Sequence, residues 1–420
     1  MSKTVSETAI PGQTAPHMAS THDAAHPRQP GPAQGLTVVV AGFLPIVAIV
    51  SMFPAVPAII DHFIKADPQA MTKVPAMVSA PGLTIAIIAL FMGLLVDRFG
   101  RRRLLLISTA AYGVVGMAPF FLENLDAVYV SRLALGVTEA AILTTLNTLI
   151  GDYWDEKGRR NWLTLQGLAG PFLGSFSILL SGYLTAIQWN SIFLIYALGF
   201  PVFLAALAFL YEPASDITVR RMLGIGESTQ DFPWKSVALF GGVTLVGSAL
   251  YYVFIINGGL VWREIGYTDS ATIGRLTTIP SLFVMLGAAI FWLTGRWGAR
   301  AQLTCFFGLL GAGLLLIGHA HDWRGMVLGM ALQQTGAGMA VPTLIAWAQT
   351  YLPFQHRGRG MGLWTACFFF GQFSSPLLVS LIRSNVGTMH GAFVVAGIFG
   401  LIFTAIVPFL VRRAAPVSGL

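Results

Sequence analysis

Gly93-Leu94-Leu95-Val96-Asp97-Arg98-Phe99-Gly100-Arg101-Arg102-Arg103 is a tight basic turn wedged between two long apolar segments. It returns in degraded form as Gly295-Arg296-Trp297-Gly298-Ala299-Arg300, 198 residues after Asp97-Arg98-Phe99-Gly100-Arg101-Arg102. Gly136 is echoed by Gly336, and Gly158-Arg159 by Gly358-Arg359, both 200 residues on. Chance similarity between apolar stretches is a poor explanation for registers that agree this closely. A membrane chain that repeats at half its length builds two helical bundles facing each other across a site. Two halves of one topology are related by an axis along the membrane normal.

Composition supports a membrane setting. Of the 420 residues 55% are hydrophobic and only 10% charged, against roughly 25% charged in a soluble domain, and the mean hydropathy is +0.71. A spanning helix needs ~20 apolar residues. Twelve segments qualify: 36–60, 75–96, 104–122, 127–152, 162–186, 190–211, 237–259, 271–294, 301–319, 325–351, 360–383 and 389–411. The fold class expected is therefore an all-α membrane protein, with twelve transmembrane helices in two pseudo-symmetric six-helix bundles. Its parts are a disordered tail over 1–35, bundles over 36–211 and 237–413, a polar linker over 212–236 and a short tail over 414–420. The first 35 residues, rich in Pro, Ala, Thr and His, lack the apolar core of a signal peptide.

The net charge of +7 is spread over short loops rather than gathered on one face, which argues against nucleic acid. In a membrane protein Lys and Arg report orientation instead. With the Asp97–Arg103 turn inside, the tails and even-numbered loops hold 18 of the 25 basic residues, so both termini are expected in the cytoplasm. Cys305 and Cys367, the two cysteines, lie within apolar segments. No disulfide framework and no metal site is expected.

The chain resembles a transporter of the major facilitator superfamily over roughly residues 36–412. That family's signature loop, G-x-x-x-D-R-x-G-R-R, is matched by Gly93, Asp97, Arg98, Gly100, Arg101 and Arg102. Three further stretches resemble the twelve-helix drug–proton antiporter branch. They are Pro54-Ala55-Val56-Pro57, Arg132-Leu133-Ala134-Leu135-Gly136 with Leu where Gln is usual, and Gly170-Pro171-Phe172-Leu173-Gly174-Ser175 in the fifth segment. The resemblance implies that segments 1, 4, 7 and 10 line a central cavity. It also implies that Asp97 faces the start of segment 11 near Gly360.

A carboxylate at a helix N-terminus is favoured by about 0.3–1 kcal/mol, and Arg101 or Arg159 is placed to hold it in a charge-assisted pair. Gly93, Asp97, Arg98, Gly100, Arg101 and Arg159 thus form a candidate conformational latch, while Arg102 and Arg103 serve topology. Glu139, in mid-membrane, is the sharpest functional candidate. Charge there costs ~2.5–3.5 kcal/mol or more, so such an acid exchanges protons rather than staying ionised. Arg132, seven residues earlier, lies about 10.5 Å along the axis and about 20° around it, a second candidate for proton coupling, with Gly136 between them leaving room for water or substrate. The candidate cavity residues are Ser51, Gly136, Tyr251, Tyr252, Asn257, Gln333, Gln334, Trp364, Phe368 and Gln372. Packing is the plainer reading of any one of these.

The expected function is proton-coupled secondary transport of small organic molecules, exporting amphipathic compounds. The proton gradient is its energy source, and no cofactor is required. A proton symporter importing an organic anion, with Arg132 as carboxylate partner, is the alternative. A polytopic receptor or enzyme finds no support, since the chain has no H-E-x-x-H motif, P-loop or attached soluble domain. The partners expected are substrate, protons and the lipid bilayer, for a monomer in a bacterial inner membrane.

Overall fold

The computed structural model describes residues 30–213, 231–353 and 356–413. Most of both tails and residues 214–230 of the linker lie outside the described residues. In the first half α1 is a broken helix of Pro32–Ala41, Leu44–Val50 and Val56–Phe63. It is followed by α2 (Ala70–Phe99), α3 (Arg101–Met117, ending in a 3-10 turn Ala118–Phe121), α4 (Leu125–Tyr153), α5 (Glu156–Ile187) and α6 (a 3-10 stretch Ser191–Leu198, then Gly199–Phe209). The second half contains α7 (Trp234–Glu264), α8 (Ser270–Ser281 and Val284–Leu293), α9 (Gly298–Gly318), α10 (Trp323–Gln349), α11 (Arg357–Val386) and α12 (Met389–Arg413).

Eleven of these helices are long and apolar enough to cross a membrane. The twelfth, α10, is 27 residues long, or ~40 Å of helix against ~30 Å of hydrocarbon. Glycines and the run Gln333-Gln334-Thr335 lower its hydropathy without shortening it. Two expected boundaries move. α1 begins at Pro32, inside the stretch expected to be disordered, because the proline fits the first turn and Gln34 folds back to accept from Gly31 N at 2.9 Å. α7 begins at Trp234, inside the expected linker.

The two halves pack alike. α2 and α3 lie on α4, and α3 on α6; correspondingly α8 and α9 lie on α10, and α9 on α12. Prolines and small residues shape the inner helices. Around Ser51 the helix of α1 loosens, Met52 N bonding to Ile49 O and Ala55 N to Met52 O. The carbonyls of Ala48 and Ser51, left free there, accept from the hydroxyls of Tyr196 and Ser181. Hydrocarbon offers no water for this task, so side chains must perform it.

The repeated turns share a backbone conformation as well as a sequence. Gly100 has φ 83 and ψ 156, and Gly298 has φ 79 and ψ 167. This corner of conformational space is open almost only to glycine, and it lets a single residue join α2 to α3. Strain of ~1–3 kcal/mol is expected for any side chain there. Gly100→Ala should therefore lower the melting temperature of the purified protein. Gly242→Ala, at a position with no neighbour within 4 Å, should leave it unchanged or raise it. Equal melting temperatures for the two variants would remove the glycine requirement from the turn.

Candidate functional site

The end of the molecule that carries Gly100 and Gly298 is its basic end; the opposite one is the far end. At the far end the halves close on each other at three crossings. Phe53 of α1 meets Gly258 and Gly259 of α7, where an added Cβ on Gly259 would come within 2.6 Å of Phe53 O. Gly182 of α5 crosses Gly274 of α8, and the hydroxyls of Ser175 and Ser281 meet at 2.5 Å. Between α2 and α11, Ser79 donates to Phe373 O at 3.3 Å and Thr72 lies 3.1 Å from Ser380. An ion pair at 2.5 Å joins Asp61 at the end of α1 to Arg263 at the end of α7.

Towards the basic end the crossings open. Positions Gly167 on α5 and Gly358 and Gly362 on α11 have no neighbouring atom within 4 Å. Arg101 Nε lies 3.1 Å from Asp152 at the end of α4. The carboxylate of Glu212 caps the start of α3, accepting from the backbone N–H of Arg101 at 2.6 Å and of Arg102 at 2.9 Å. Arg102 in turn donates to Leu210 O and Leu207 O. An open cleft of about 740 Å³ lies over this turn. Arg98 and Arg159 are exposed; at Gly93 and Asp97 the structure describes the backbone alone.

Glu139 is buried to 4% exposure in α4, and its Oε1 has no hydrogen-bond partner. Arg132 shares the helix and interacts with it electrostatically, yet turns elsewhere. Its guanidinium donates to Gly116 O of α3 at 2.8 Å and lies over the rings of Phe193 and Tyr196 of α6, 5.1 and 4.6 Å from their centroids. Its Nε and Nη1 are unpartnered. Gly136 overturns the expectation that it leaves space. A Cβ there would overlap Pro81 O, so the glycine is a contact point for α2. Its packing equivalent in the second half is Gly338 rather than Gly336, since Gly338 presses on Val284 and Gly287 of α8.

Most of the polar cavity candidates are buried between the helices. Tyr252 packs edge-on to Tyr251 at 4.7 Å, and both contact Phe368, which stacks on Trp364 at 5.3 Å. Tyr252 also lies near Glu139, across the two halves. Gln333 donates weakly to Tyr251 O at 3.5 Å, and Gln372 rests against Gly82 of α2. Asn257 bonds within its own helix, to Val253 O at 3.1 Å, and Gln334 is buried. Ser51 is buried at the loosened part of α1 with its hydroxyl unpartnered. Gly170 and Gly174 of the fifth-helix motif face Phe43 and Val50 of α1, flanking Pro171.

The family's sequence model, described as Major Facilitator Superfamily, matches residues 38–262 and 237–420. The chain belongs to the major facilitator superfamily. It is 26% identical over 390 residues to the class G tetracycline resistance protein of Vibrio anguillarum, covering 87% of this chain and 93% of that one. It is 25% identical over 317 residues to the 3-(3-hydroxy-phenyl)propionate transporter of Escherichia coli (strain K12), covering 72% and 75%. A crystal structure of a D-xylose-proton symporter shares the fold with TM-score 0.70 at 13% identity, covering 89% of this chain and 96% of that one. Like these relatives it is a membrane transporter of small molecules and not an enzyme.

Sequence reading missed Asp152, Glu212, Asp61, Arg263 and the Ser175–Ser281 contact. The first four sit at segment ends, where charge is ordinary and carries no label of its partner. Asp61 and Arg263 are partly exposed, so their pair contributes only ~0.2–1 kcal/mol. With cysteines at Thr72 and Ser380 reporting far-end closure by disulfide formation, Asp61→Arg should lower cross-linking by a few-fold at most. Adding Arg263→Asp should restore it. Unaltered cross-linking in the single variant would show that the pair does not help to hold the far end shut.

Proposed function

We propose that this chain is a proton-coupled secondary transporter that exports amphipathic organic compounds by alternating access, with Glu139 carrying the proton. One observation carries the reading: a carboxyl group buried halfway along α4 whose Oε1 finds no hydrogen-bond partner among the described residues. Ionised, such a group costs ~2.5–3.5 kcal/mol or more at the bilayer centre. It is retained where a proton must be taken up on one side and released on the other. Each proton moving inward down ~100 mV supplies ~2.3 kcal/mol. The tetracycline resistance relatives support export of this kind.

In this reading the basic end is cytoplasmic, the state described is inward-open, and Asp97 with Arg101 re-forms an inner latch when the basic ends meet. The protein works as a monomer in a bacterial inner membrane with both termini inside. A second reading, a proton symporter importing an organic anion, draws support from two relatives. These are the Escherichia coli transporter above and the gallate transporter of Pseudomonas putida, 24% identical over 346 residues. In that reading Arg132 receives the anion's charge. The packing of its guanidinium against α3 and α6 weighs against this role.

Two measurements test the reading. Glu139→Gln keeps volume and hydrogen-bonding capacity but cannot titrate. In proteoliposomes it should lose transport driven by a pH gradient while gradient-free counterflow continues. Full pH-driven activity would exclude the proton role. For orientation, cysteines at Ser20 and Ser228, in a protein lacking Cys305 and Cys367, should resist an impermeant thiol reagent in intact cells and react in inverted vesicles. Reaction of either one in intact cells would reverse the topology.

A further inference from the structure

The cleft of about 740 Å³ at the basic end lies where α2, α3 and α6 meet, and neither α3 nor α6 belongs to the crossings that close the far end. Among the described residues that line it are four arginines and one glutamate: Arg98, Arg101, Arg102, Arg103 and Glu212. Two of these charges are already engaged. Glu212 accepts from the backbone N–H groups of Arg101 and Arg102, and Arg101 faces Asp152. Arg102 is braced on the end of α6, its Nε 2.7 Å from Leu210 O and its Nη2 2.9 Å from Leu207 O. Arg98 and Arg103 are exposed. The lining therefore carries a surplus of positive charge, part of it held in a fixed orientation.

Beside this charge the surface is apolar and faces outward. Arg103, Ile107 and Val114 fall within about 40° of one another around α3, and Ile107 and Val114 are 63% and 62% exposed. On α6, which packs against α3, Leu204 and Leu207 are 60% and 47% exposed, and Leu207 itself lines the cleft. The strip so formed leads from the arginines along the two helices into the hydrocarbon. Guanidinium groups grip phosphate oxygens in pairs, and acyl chains suit the strip. A free anion would use the arginines and leave the apolar walls wet. A zwitterionic lipid would bring its own cation to a positive site.

We propose that the cleft between α2, α3 and α6 binds an anionic phospholipid, its phosphate held by Arg98, Arg102 and Arg103 and its chains laid along the outer faces of α3 and α6. Basic pockets at the ends of spanning helices hold anionic headgroups through this combination of charge and depth. Arg102 and Arg103 then do more than set topology, because they tie the start of α3 to one leaflet. The site depends on the membrane setting alone and not on what the chain transports or in which direction.

The test is native mass spectrometry of the full-length protein in a neutral detergent, with no gradient and no transported compound. The probes are phosphatidylglycerol and phosphatidylcholine with the same two oleoyl chains. The first phosphatidylglycerol should bind about twentyfold more tightly than the first phosphatidylcholine. Arg98→Gln combined with Arg103→Gln should lower its affinity by about fivefold for each arginine removed, close to the phosphatidylcholine level. Arg296→Gln combined with Arg300→Gln removes equal charge from the equivalent turn of the second half and should leave the affinity unchanged. Equal affinity of the two lipids for the unmodified protein overturns the proposal without any variant needing to fold. An equal loss in the two double variants also overturns it, since the effect would then be one of net charge. So does displacement of the bound lipid by inorganic phosphate at equal concentration, which would make the cleft a site for free anions.

Discussion

Inside the hydrocarbon a backbone carbonyl released from its helix has no water to turn to, and the arrangement of this protein follows from that constraint. Helices can loosen only where a neighbour supplies a donor. α1 does so around Ser51, where hydroxyls from Tyr196 and Ser181 take the free carbonyls of Ala48 and Ser51. Those bonds tie α1 to α5 and α6, so the irregularity that α1 needs also holds the first bundle together. Pro81 is carried within the continuous helix α2, where Gly136 brings α4 close, and Pro280 lies just before the break in α8.

The two ends of the molecule use different physics. At the far end small residues let backbones touch, at Gly182 with Gly274 and at Gly259 with Phe53, and one partly exposed ion pair is added. Without a hydrophobic force between helices in lipid, close packing of this type is the main source of association. The basic end is built from charge. Glu212 and Asp152 hold the Gly100 turn within its own half, and Arg359 lies over Phe232 and Trp234 in the other. A contact made by charge in water is weak and easily remade. Such an end suits a gate that parts.

The middle is closely packed but not fully hydrogen-bonded. Glu139, Gln333 and Gln372 each keep a buried oxygen without a donor, although the apolar helices around them are closely fitted.

By itself the sequence determined the membrane setting and the half-length repeat, and it singled out Glu139 as an acid inside an apolar helix. It also marked Gly100 and Gly298 as equivalent, and they prove to share a conformation as well as a motif. Such features are local, since hydropathy adds along a segment and a glycine turn is written in adjacent residues. The tertiary structure alone decided which end is sealed, that Gly136 is a packing contact and not a space, and that Arg132 turns toward α3 and α6. It alone paired Asp61 with Arg263 and brought Tyr251 and Tyr252 of α7 against Phe368 of α11. Each of these depends on how helices distant in the chain rotate and cross. A small or polar residue in an apolar segment carries no mark of which neighbour it will meet.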